Sequence, residues 1–247
     1  MKILTSHQSV YLPWIGLMHK IAISDKFIYL DTVQYLKKDW NNRNKIKIAN
    51  GWTWLTVPVY TKGKFNQNLC DTKINKQKNW REKHWKSILL NYKKAEFFND
   101  YKDFFENLYQ KKWINLSDIN REILKYLMKE IDIKTEWIES KELKLNGKKN
   151  DLIIDMCKKT NCSNFVFGKL GRNYADKEKF ELEKIKIYFQ DYDQPIYKQL
   201  WGKFELHMSV IDLLFNYGKK SKKIIMQNNI SKKELKEKLN ADVAPIG

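Results

Sequence analysis

Two short apolar patterns at the start of the chain predict a parallel strand–helix–strand unit. Residues 1–5 and residues 26–31 both have the apolar, β-forming character of short strands. Between them, Pro13 suits the first turn of a helix, and apolar residues recur at helical spacing from Ile15 to Ala22. A parallel pair needs a crossover connection, so this order predicts a right-handed β–α–β unit.

The next segment predicts an antiparallel hairpin. Residues 45–48 alternate between lysine and isoleucine, and residues 52–59 are rich in aromatic and β-branched residues. The Asn50-Gly51 step between them is typical of a tight turn that joins two strands.

A long stretch without glycine or proline predicts a helical insertion. Residues 80–129 lack both helix-breaking residue types and carry apolar residues at helical spacing. We expect three or four helices within about residues 78–132, forming a lid or subdomain beside the sheet.

The second half of the chain continues the alternation of helices and strands. Asn150 or Asp151 is a suitable N-cap for a helix that begins near residue 152. Residues 164–167 and 185–190 have the character of two further strands. The fold class that follows is α/β, a mainly parallel sheet with flanking helices and a local antiparallel hairpin.

The chain shows no internal repeat and no linker that would divide it. We expect residues 1–218 to form one α/β domain that includes the helical insertion. Residues 219–247 are lysine-rich and then polar and amphipathic, which predicts a basic, peripheral C-terminal helix or tail.

The charge balance favours anionic ligands without identifying one. The formal net charge is +18 at pH 7, yet only four cationic residues are arginines, namely Arg43, Arg81, Arg121 and Arg172. The rest are lysines in a chain also rich in asparagine and isoleucine, which is typical of a codon-composition bias. Lysine-rich faces attract anions. The arginines are more informative, because their forks bind phosphate or carboxylate through two hydrogen bonds.

Cysteine usage and hydropathy favour a cytoplasmic protein. The three cysteines are odd in number and lack C-x-x-C spacing, which disfavours a disulfide framework and a zinc site. No apolar run approaches the ~18 residues of a transmembrane helix, and the first residues do not resemble a signal peptide. We therefore expect a cytoplasmic location, no membrane insertion and no metal site. The oligomeric state is not predicted.

The first candidate site follows the first predicted strand. In open α/β sheets, ligands bind beyond the carboxyl ends of strands, where helix N-termini attract phosphate. His7 lies at such a position and is a candidate catalytic residue. The neighbouring candidates for substrate binding are Gln8, Tyr11, Trp14 and Lys20. Core packing is the competing interpretation for the two aromatic residues.

The second candidate site follows the second predicted strand. Asp31 ends that strand, so its carboxylate is a candidate catalytic group that orients an amine, holds a ribose hydroxyl or binds a metal. Gln34, Asn42 and Arg43 are candidates for substrate binding, with Arg43 as a carboxylate or phosphate clamp. A polar turn with a surface arginine is the alternative interpretation.

A third candidate lies in the helical insertion. Trp80, Lys83 and His84 share one helix face at spacings of three and four residues. Lys83 and His84 beside an aromatic ring suit a flat anionic ligand, and the same pattern suits a helix packed through its tryptophans.

A fourth candidate follows the predicted strand at 164–167. Gly168 and Gly171 would let the backbone approach a ligand closely, with Arg172 and Asn173 as candidates for substrate binding. The segment matches neither a Walker motif nor G-x-G-x-x-G, so it specifies a phosphate-holding loop only weakly.

Ser209 and Asp212 fit a helix-capping box. The absence of a G-x-S-x-G elbow argues against a hydrolase that uses these residues in a Ser-His-Asp triad. No H-E-x-x-H motif or Cys/His cluster indicates zinc.

Taken together, these segments resemble the WbqC-like protein family. The resemblance rests on seven stretches in order along the chain: residues 7–16 with Lys20, 24–27, 30–34, 40–44, 54–59, Trp80 with 83–85, and 209–212 with 216–218. This chain departs from the family pattern at Ser9, where proline is usual, and at Phe167-Gly168, where Ser-Gly is usual. The second departure weakens a catalytic role for that loop.

The resemblance implies genes for O-antigen or other surface polysaccharides. The opening strand, His-containing loop and helix also look like the Rossmann-like fold of nucleotidylyltransferases, although their H-x-G-H signature is missing here. That likeness concerns the fold alone.

The leading hypothesis is an acyl or aminoacyl transferase that modifies an amino group on a nucleotide-linked sugar. His7 would act as base or phosphate contact, Asp31 would orient the amine, and Lys20 and Arg43 would hold anionic groups. One alternative is an adenylating or nucleotidyl-transfer enzyme that uses ATP and magnesium. Others are an RNA-binding protein that uses aminoacyl-tRNA as donor and a non-catalytic scaffold. The sequence itself requires no cofactor.

Overall fold

A computed structural model describes residues 2–241, and it confirms the α/β class. Five strands form one parallel sheet and two form a separate antiparallel hairpin. The strands are β1 (Ile3–Gln8), β2 (Lys26–Leu30), β3 (Arg43–Ile48), β4 (Gly51–Thr56), β5 (Glu136–Glu139), β6 (Asn164–Phe167) and β7 (Lys186–Phe189). The helices are α1 (Ile15–Ala22), α2 (Trp80–Tyr92), α3 (Phe98–Gln110), α4 (Leu116–Glu130), α5 (Asn150–Thr160), α6 (Lys177–Leu182), α7 (Val210–Tyr217), α8 (Ser221–Met226) and α9 (Lys232–Ala241).

The parallel sheet is Rossmann-like, with β1 at its centre. Its strand order is β5-β2-β1-β6-β7, so the chain first builds outward on one side of β1 and then returns to build outward on the other. Leu4 is in register with Lys26 of β2 and with Phe165 of β6. The strand order therefore reverses between β1 and β6, which is where ligands bind in folds of this kind.

The predicted hairpin is present as β3 and β4. Gly51 begins β4 with a φ of 105°, a backbone conformation that glycine adopts without steric cost. Asn44, Ile46 and Leu55 alternate along the two strands on one face, and all three are buried. This face anchors the hairpin to the rest of the protein.

The predicted helical insertion is present as α2, α3 and α4. Its aromatic residues do not form a separate subdomain, because they share one continuous core with α1, the hairpin and α7. Phe215 of α7, for example, has ring centroids of Tyr92 and Phe105 at 5.2 and 5.3 Å. The opposite face of the sheet is covered by α5 and α6, which pack on Leu4 and Phe167.

Ser209 caps α7, as predicted, by accepting a hydrogen bond from the N–H of Ile211. Asp212 does not complete a capping box. Its Oδ2 accepts hydrogen bonds from Tyr197 Oη at 2.8 Å and from Gln199 Nε2 at 3.0 Å. These bonds fix the irregular segment between β7 and α7 to the core.

The C-terminal helix α9 packs on the sheet. Leu235 and Leu239 are buried against a cluster that includes Ile3 and Ile23. Lys232 and Lys236 both form ion pairs with Asp25, at 2.9 and 3.0 Å. Residues 242–247 of the predicted tail lie outside the described residues. Within residues 2–241, no helix combines the length and apolar character needed to cross a bilayer.

The turn after β6 offers a test of backbone packing. A Cβ on Gly171 would lie 2.5 Å from Phe167 Cβ, whereas a Cβ on Gly168 would meet no atom within 4 Å. We predict that Gly171→Ala lowers the free energy of unfolding by about 1–3 kcal/mol through overpacking. Gly168→Ala, at a φ of −73°, should change it much less. Urea unfolding of both variants measures the difference, and equal effects would contradict this packing.

Candidate functional site

A cavity of about 850 Å³ opens at the carboxyl ends of β1 and β6. Its volume is in the range of small-molecule sites. Both halves of the sheet and the start of α1 contribute to its lining, through side chains that include those of His7, Gln8, Trp14, Lys20, Phe167 and Gln190. The cavity therefore occupies the point where the strand order reverses.

The strand–turn–helix arrangement of residues 3–22 brings four of the five first candidate residues to the cavity, namely His7, Gln8, Trp14 and Lys20. His7 and Gln8 end β1, and α1 begins seven positions after Gln8, at Ile15. Trp14 is the N-cap of α1, and its side chain makes no capping hydrogen bond to the first turn. Trp14 and Gly16 both line the cavity, so the N-terminal end of α1 faces it. The positive end of the helix dipole thus favours an anion here.

The hydrogen bonding of His7 fixes its tautomer. Nδ1 lies 2.8 Å from the Gln8 carbonyl oxygen. A carbonyl oxygen only accepts, so Nδ1 carries the proton and Nε2 of the neutral ring has a free lone pair. The ring also packs edge-on against Trp14, with centroids 5.2 Å apart. Burial, reinforced by the nearby Lys20, lowers the pKa of His7 to about 3. The ring is therefore neutral at physiological pH.

Lys20 places an uncompensated cation in the same cavity. Its side chain is almost fully buried, and Nζ donates a hydrogen bond to the Ser6 carbonyl at 3.0 Å. Among residues 2–241, no carboxylate lies within ion-pair distance of Nζ. Burial lowers the pKa of Lys20 to about 7. A buried ammonium without a counter-ion is costly, so a bound anion would stabilise it.

The other charged residues of the cavity add to its positive potential. Lys149 and Lys169 line it, against the single carboxylate of Asp39 among the described lining residues. Gly168 also lines it and has open space where a side chain would project. The backbone at Gly168 is therefore open to close approach from the cavity.

The structure does not bring Asp31 to the cavity. Asp31 is fully buried, and its carboxylate lies beside Arg121, with Nη2 at 2.8 Å from Oδ2. The hydroxyls of Ser117 and Ser140 donate to its two oxygens. Arg121 also forms ion pairs with Asp118 and Glu139. The carboxylate is thus satisfied within a buried network that joins β2 to α4.

Tyr11 and His84 form a second buried cluster away from the cavity. Tyr11 Oη lies 2.9 Å from His84 Nδ1 and also hydrogen-bonds to Tyr109. Trp80 packs on His84 with ring centroids 5.2 Å apart. This arrangement matches the alternative interpretation of Tyr11 as core packing.

The remaining predicted site residues also lie outside the cavity lining. Asn42 donates to the Val57 carbonyl at 2.8 Å, and Gln34 donates to the Phe65 carbonyl at 3.0 Å. The guanidinium of Arg43 packs on Trp54. The other three are exposed on the protein surface: Lys83 on α2, and Arg172 and Asn173 in the turn after β6.

The site residues selected from the sequence leave out several that line the cavity, including Trp40, Asn41, Gln190 and His207. Gln190 directly follows β7, so the strand-end rule that selected His7 could have selected it as well. Its Nε2 donates to the Gly16 carbonyl at 2.9 Å and thereby joins β7 to α1. His207 lies in the irregular segment before α7, which the sequence indicated as a helix cap and not as part of this cavity.

The described residues offer no preformed metal centre. No group of three or more His, Cys, Asp or Glu residues in the range 2–241 has the proximity needed to hold an ion. Cys70, Cys157 and Cys162 are free thiols, and burial raises the pKa of Cys70 and Cys162.

We predict that Asp31→Asn destabilises the protein. Asn cannot accept all the hydrogen bonds that the buried carboxylate takes from Arg121, Ser117 and Ser140, although Arg121 keeps Glu139 and Asp118 as partners. The change should therefore lower the free energy of unfolding by about 1–3 kcal/mol. Asp118→Asn is the matched control, because Asp118 pairs with the same arginine but has a 44% exposed side chain. Its effect should be at most about 1 kcal/mol. Urea unfolding tests both, and a stable Asp31→Asn variant that binds ligand poorly would restore Asp31 to the site.

We also predict that the amine of Lys20 is readily acylated by chemical reagents at neutral pH. With a pKa of about 7, about half of the amine is unprotonated at pH 7, against roughly one in a few thousand for an ordinary lysine. The labelling rate of Lys20 by a small activated acetyl ester should rise with pH and level off above about pH 7. Peptide mass spectrometry follows each lysine separately. A rate that still rises steeply to pH 10 would contradict the depressed pKa.

Comparison with known proteins agrees with the resemblance. A model of the WbqC-like protein family matches residues 8–224, a span that includes most of the cavity lining. The uncharacterized protein Rv1507c of Mycobacterium tuberculosis (strain ATCC 25618 / H37Rv) is 38% identical over 213 residues, covering 85% of this chain and 92% of the relative. No solved structure matches the chain with statistical significance. On the family match and this relative, the chain belongs to the WbqC-like protein family.

Proposed function

We propose that this protein is a transferase that acylates or aminoacylates an amino group on a nucleotide-linked sugar. The observation that carries the proposal is the pairing of His7 and Lys20 in one cavity at the reversal point of the sheet. His7 supplies a neutral base with a free nitrogen, and Lys20 supplies a buried positive charge. Acyl transfer to a sugar amine needs a base, and a nucleotide-linked substrate needs an anion site.

The positive cavity supports a nucleotide-linked substrate. The diphosphate would lie between Lys20 and the N-terminal end of α1, where helix dipole and ammonium both favour negative charge. A volume of about 850 Å³ accommodates a ligand of that size. The resemblance to the WbqC-like family implies a setting among genes for surface polysaccharides, and this is the reason for proposing a sugar substrate. A cytoplasmic location is part of the same proposal.

The proposed chemistry uses His7 Nε2 as a general base. The sugar amine attacks the carbonyl carbon of an activated acyl ester or thioester, forming the new C–N bond. Nε2 accepts the proton that the attacking nitrogen loses, and the bound diphosphate raises the low pKa of the ring by offsetting the charge of Lys20. The bond between the acyl carbon and its carrier breaks, the carrier oxygen or sulfur leaves with the electron pair, and the imidazolium returns the proton to it. The Nδ1 hydrogen bond to Gln8 holds the ring in the tautomer that this step needs.

ATP-dependent adenylation or nucleotidyl transfer is the second candidate. The observation that favours it is the position of His7 at the carboxyl end of β1, in the same cavity as the N-terminal end of α1, where an open α/β sheet binds nucleotide phosphates. This reaction would use ATP and magnesium and release pyrophosphate. Magnesium-dependent pyrophosphate release with a carboxylic acid substrate would support it over acyl transfer.

A ligand panel separates the two candidates. We predict that a nucleotide-sugar at 100-fold over its dissociation constant stabilises the protein by about 2.7 kcal/mol. Thermal unfolding with nucleotide-sugars, free nucleotides and ATP measures the shift. Stabilisation by ATP alone would favour adenylation, and no shift with any of them would contradict the anion site.

We predict that His7→Asn lowers turnover about 10²-fold or more, because proton transfer loses its base. His207→Asn is the matched control. His207 lines the same cavity and has a φ of 61°, which asparagine tolerates. It should retain near-normal turnover. Product formation at saturating substrate is the measurement, and equal losses in both variants would remove His7 from the role of base.

A further inference from the structure

Four tryptophans form a continuous strip from the cavity to the far end of the hairpin. We call Trp14, Trp40, Trp54 and Trp52 the tryptophan strip. Trp14 contacts His7 inside the cavity, and successive ring centroids along the strip are 5.8, 5.5 and 5.7 Å apart. The strip therefore connects the proposed base with the protein surface.

Two cations lie directly on the strip. The Arg43 guanidinium carbon is 4.4 Å from the ring centroid of Trp54. The Lys45 ammonium is 3.9 Å from the ring centroid of Trp52. These residues share one face of the hairpin, because Lys45 pairs in register with Trp54 and side chains alternate along each strand. The face thus combines aromatic rings with positive charge.

Trp52 and Trp54, the two hairpin members of the strip, do not belong to the apolar core. The opposite face of the hairpin, with Ile46 and Leu55, already supplies its buried apolar contacts. Accordingly, Trp52 is 40% exposed to solvent. Exposed aromatic residues that continue into a cavity are typical of ligand-binding surfaces. The acidic side chains at the two ends are Asp39 at the cavity and Glu205 beside the hairpin turn.

We propose that the tryptophan strip binds single-stranded RNA and directs one end of it toward the cavity. Bases stack on aromatic rings and phosphates pair with nearby cations, so proteins that bind single strands combine these two features. RNA offers such unstacked bases in its loops and ends. Arg43 and Lys45 supply the phosphate contacts, and the net charge of +18 adds long-range attraction.

The same features disfavour other occupants. Double-stranded nucleic acid keeps its bases stacked internally and cannot place them on the strip. A neutral glycan would use the rings but gain nothing from Arg43 and Lys45, whose charged groups lie over two of the rings. The combination of ring and cation therefore favours a single strand.

RNA binding goes beyond the proposed transferase function and does not depend on it. An RNA end that reaches His7 would carry the acyl donor under that proposal. Binding itself is measured without any transfer, so RNA binding and nucleotide-sugar binding can fail separately.

Fluorescence anisotropy tests the strip with a labelled single-stranded RNA of about 12 nucleotides. We expect Trp52→Ala to weaken binding about tenfold through lost stacking. Lys45→Glu should reduce the slope of log affinity against log salt by about one, because one phosphate contact is lost. Its loss of affinity relative to the unaltered protein should therefore be largest at low salt. Matched controls are Phe65→Ala, an aromatic residue with 77% exposure, and Lys184→Glu, an exposed lysine in the turn before β7. Both should bind as the unaltered protein does.

Competitors separate the alternatives. We expect duplex RNA of the same length and heparin to compete poorly at equal phosphate or sulfate concentration. Equal competition by heparin, with no effect of Trp52→Ala, would overturn the proposal. Binding would then come from the overall positive charge of the protein and not from the strip. A neutral glucan oligosaccharide that binds through Trp52, without RNA binding, would also overturn it and assign the strip to glycans.

Discussion

β1 hydrogen-bonds to β2 on one side and to β6 on the other, and the chain leaves these central strands toward opposite faces of the sheet. From β1 it passes through α1, which packs with the helical insertion, and from β6 it passes toward α6 on the other face. Two connections that diverge cannot close the space above the strand ends. A crevice therefore opens there. The cavity, the exposed end of α1 and the access of His7 all follow from this strand order.

The electrostatics of the crevice follow from the same geometry. His7 and Lys20 lie in the wall of the crevice, largely surrounded by protein, so burial disfavours the charged form of each. His7 responds by remaining neutral, and Lys20 responds with a pKa of about 7. Free energy spent on burying an unpaired cation is recovered when an anion binds, which gives this site affinity for negative charge. By contrast, Asp31 is already satisfied by Arg121, so its burial leaves no comparable demand for a ligand.

Local patterns predicted the elements that local interactions determine. The spacing of apolar residues located β1, α1 and β2. The strand-end rule selected His7, which lines one cavity with Gln8 and with Lys20 of α1. The same rule selected Asp31, whose surroundings depend on Arg121, a residue 90 positions away. Gln190 joins the site only because β7 lies two strands from β1, a tertiary contact that no local pattern encodes. Sequence alone thus located half of the crevice and could not distinguish satisfied polar groups from unsatisfied ones.

A crystal structure of the protein with a bound nucleotide-linked amino sugar would test the central claim most directly. We predict phosphate oxygens within hydrogen-bond distance of Lys20 Nζ at the N-terminal end of α1. We also predict the sugar nitrogen about 3 Å from His7 Nε2, within reach for proton transfer. Phosphate bound elsewhere, or an amine facing away from His7, would contradict the account of the cavity as an acyl-transfer site.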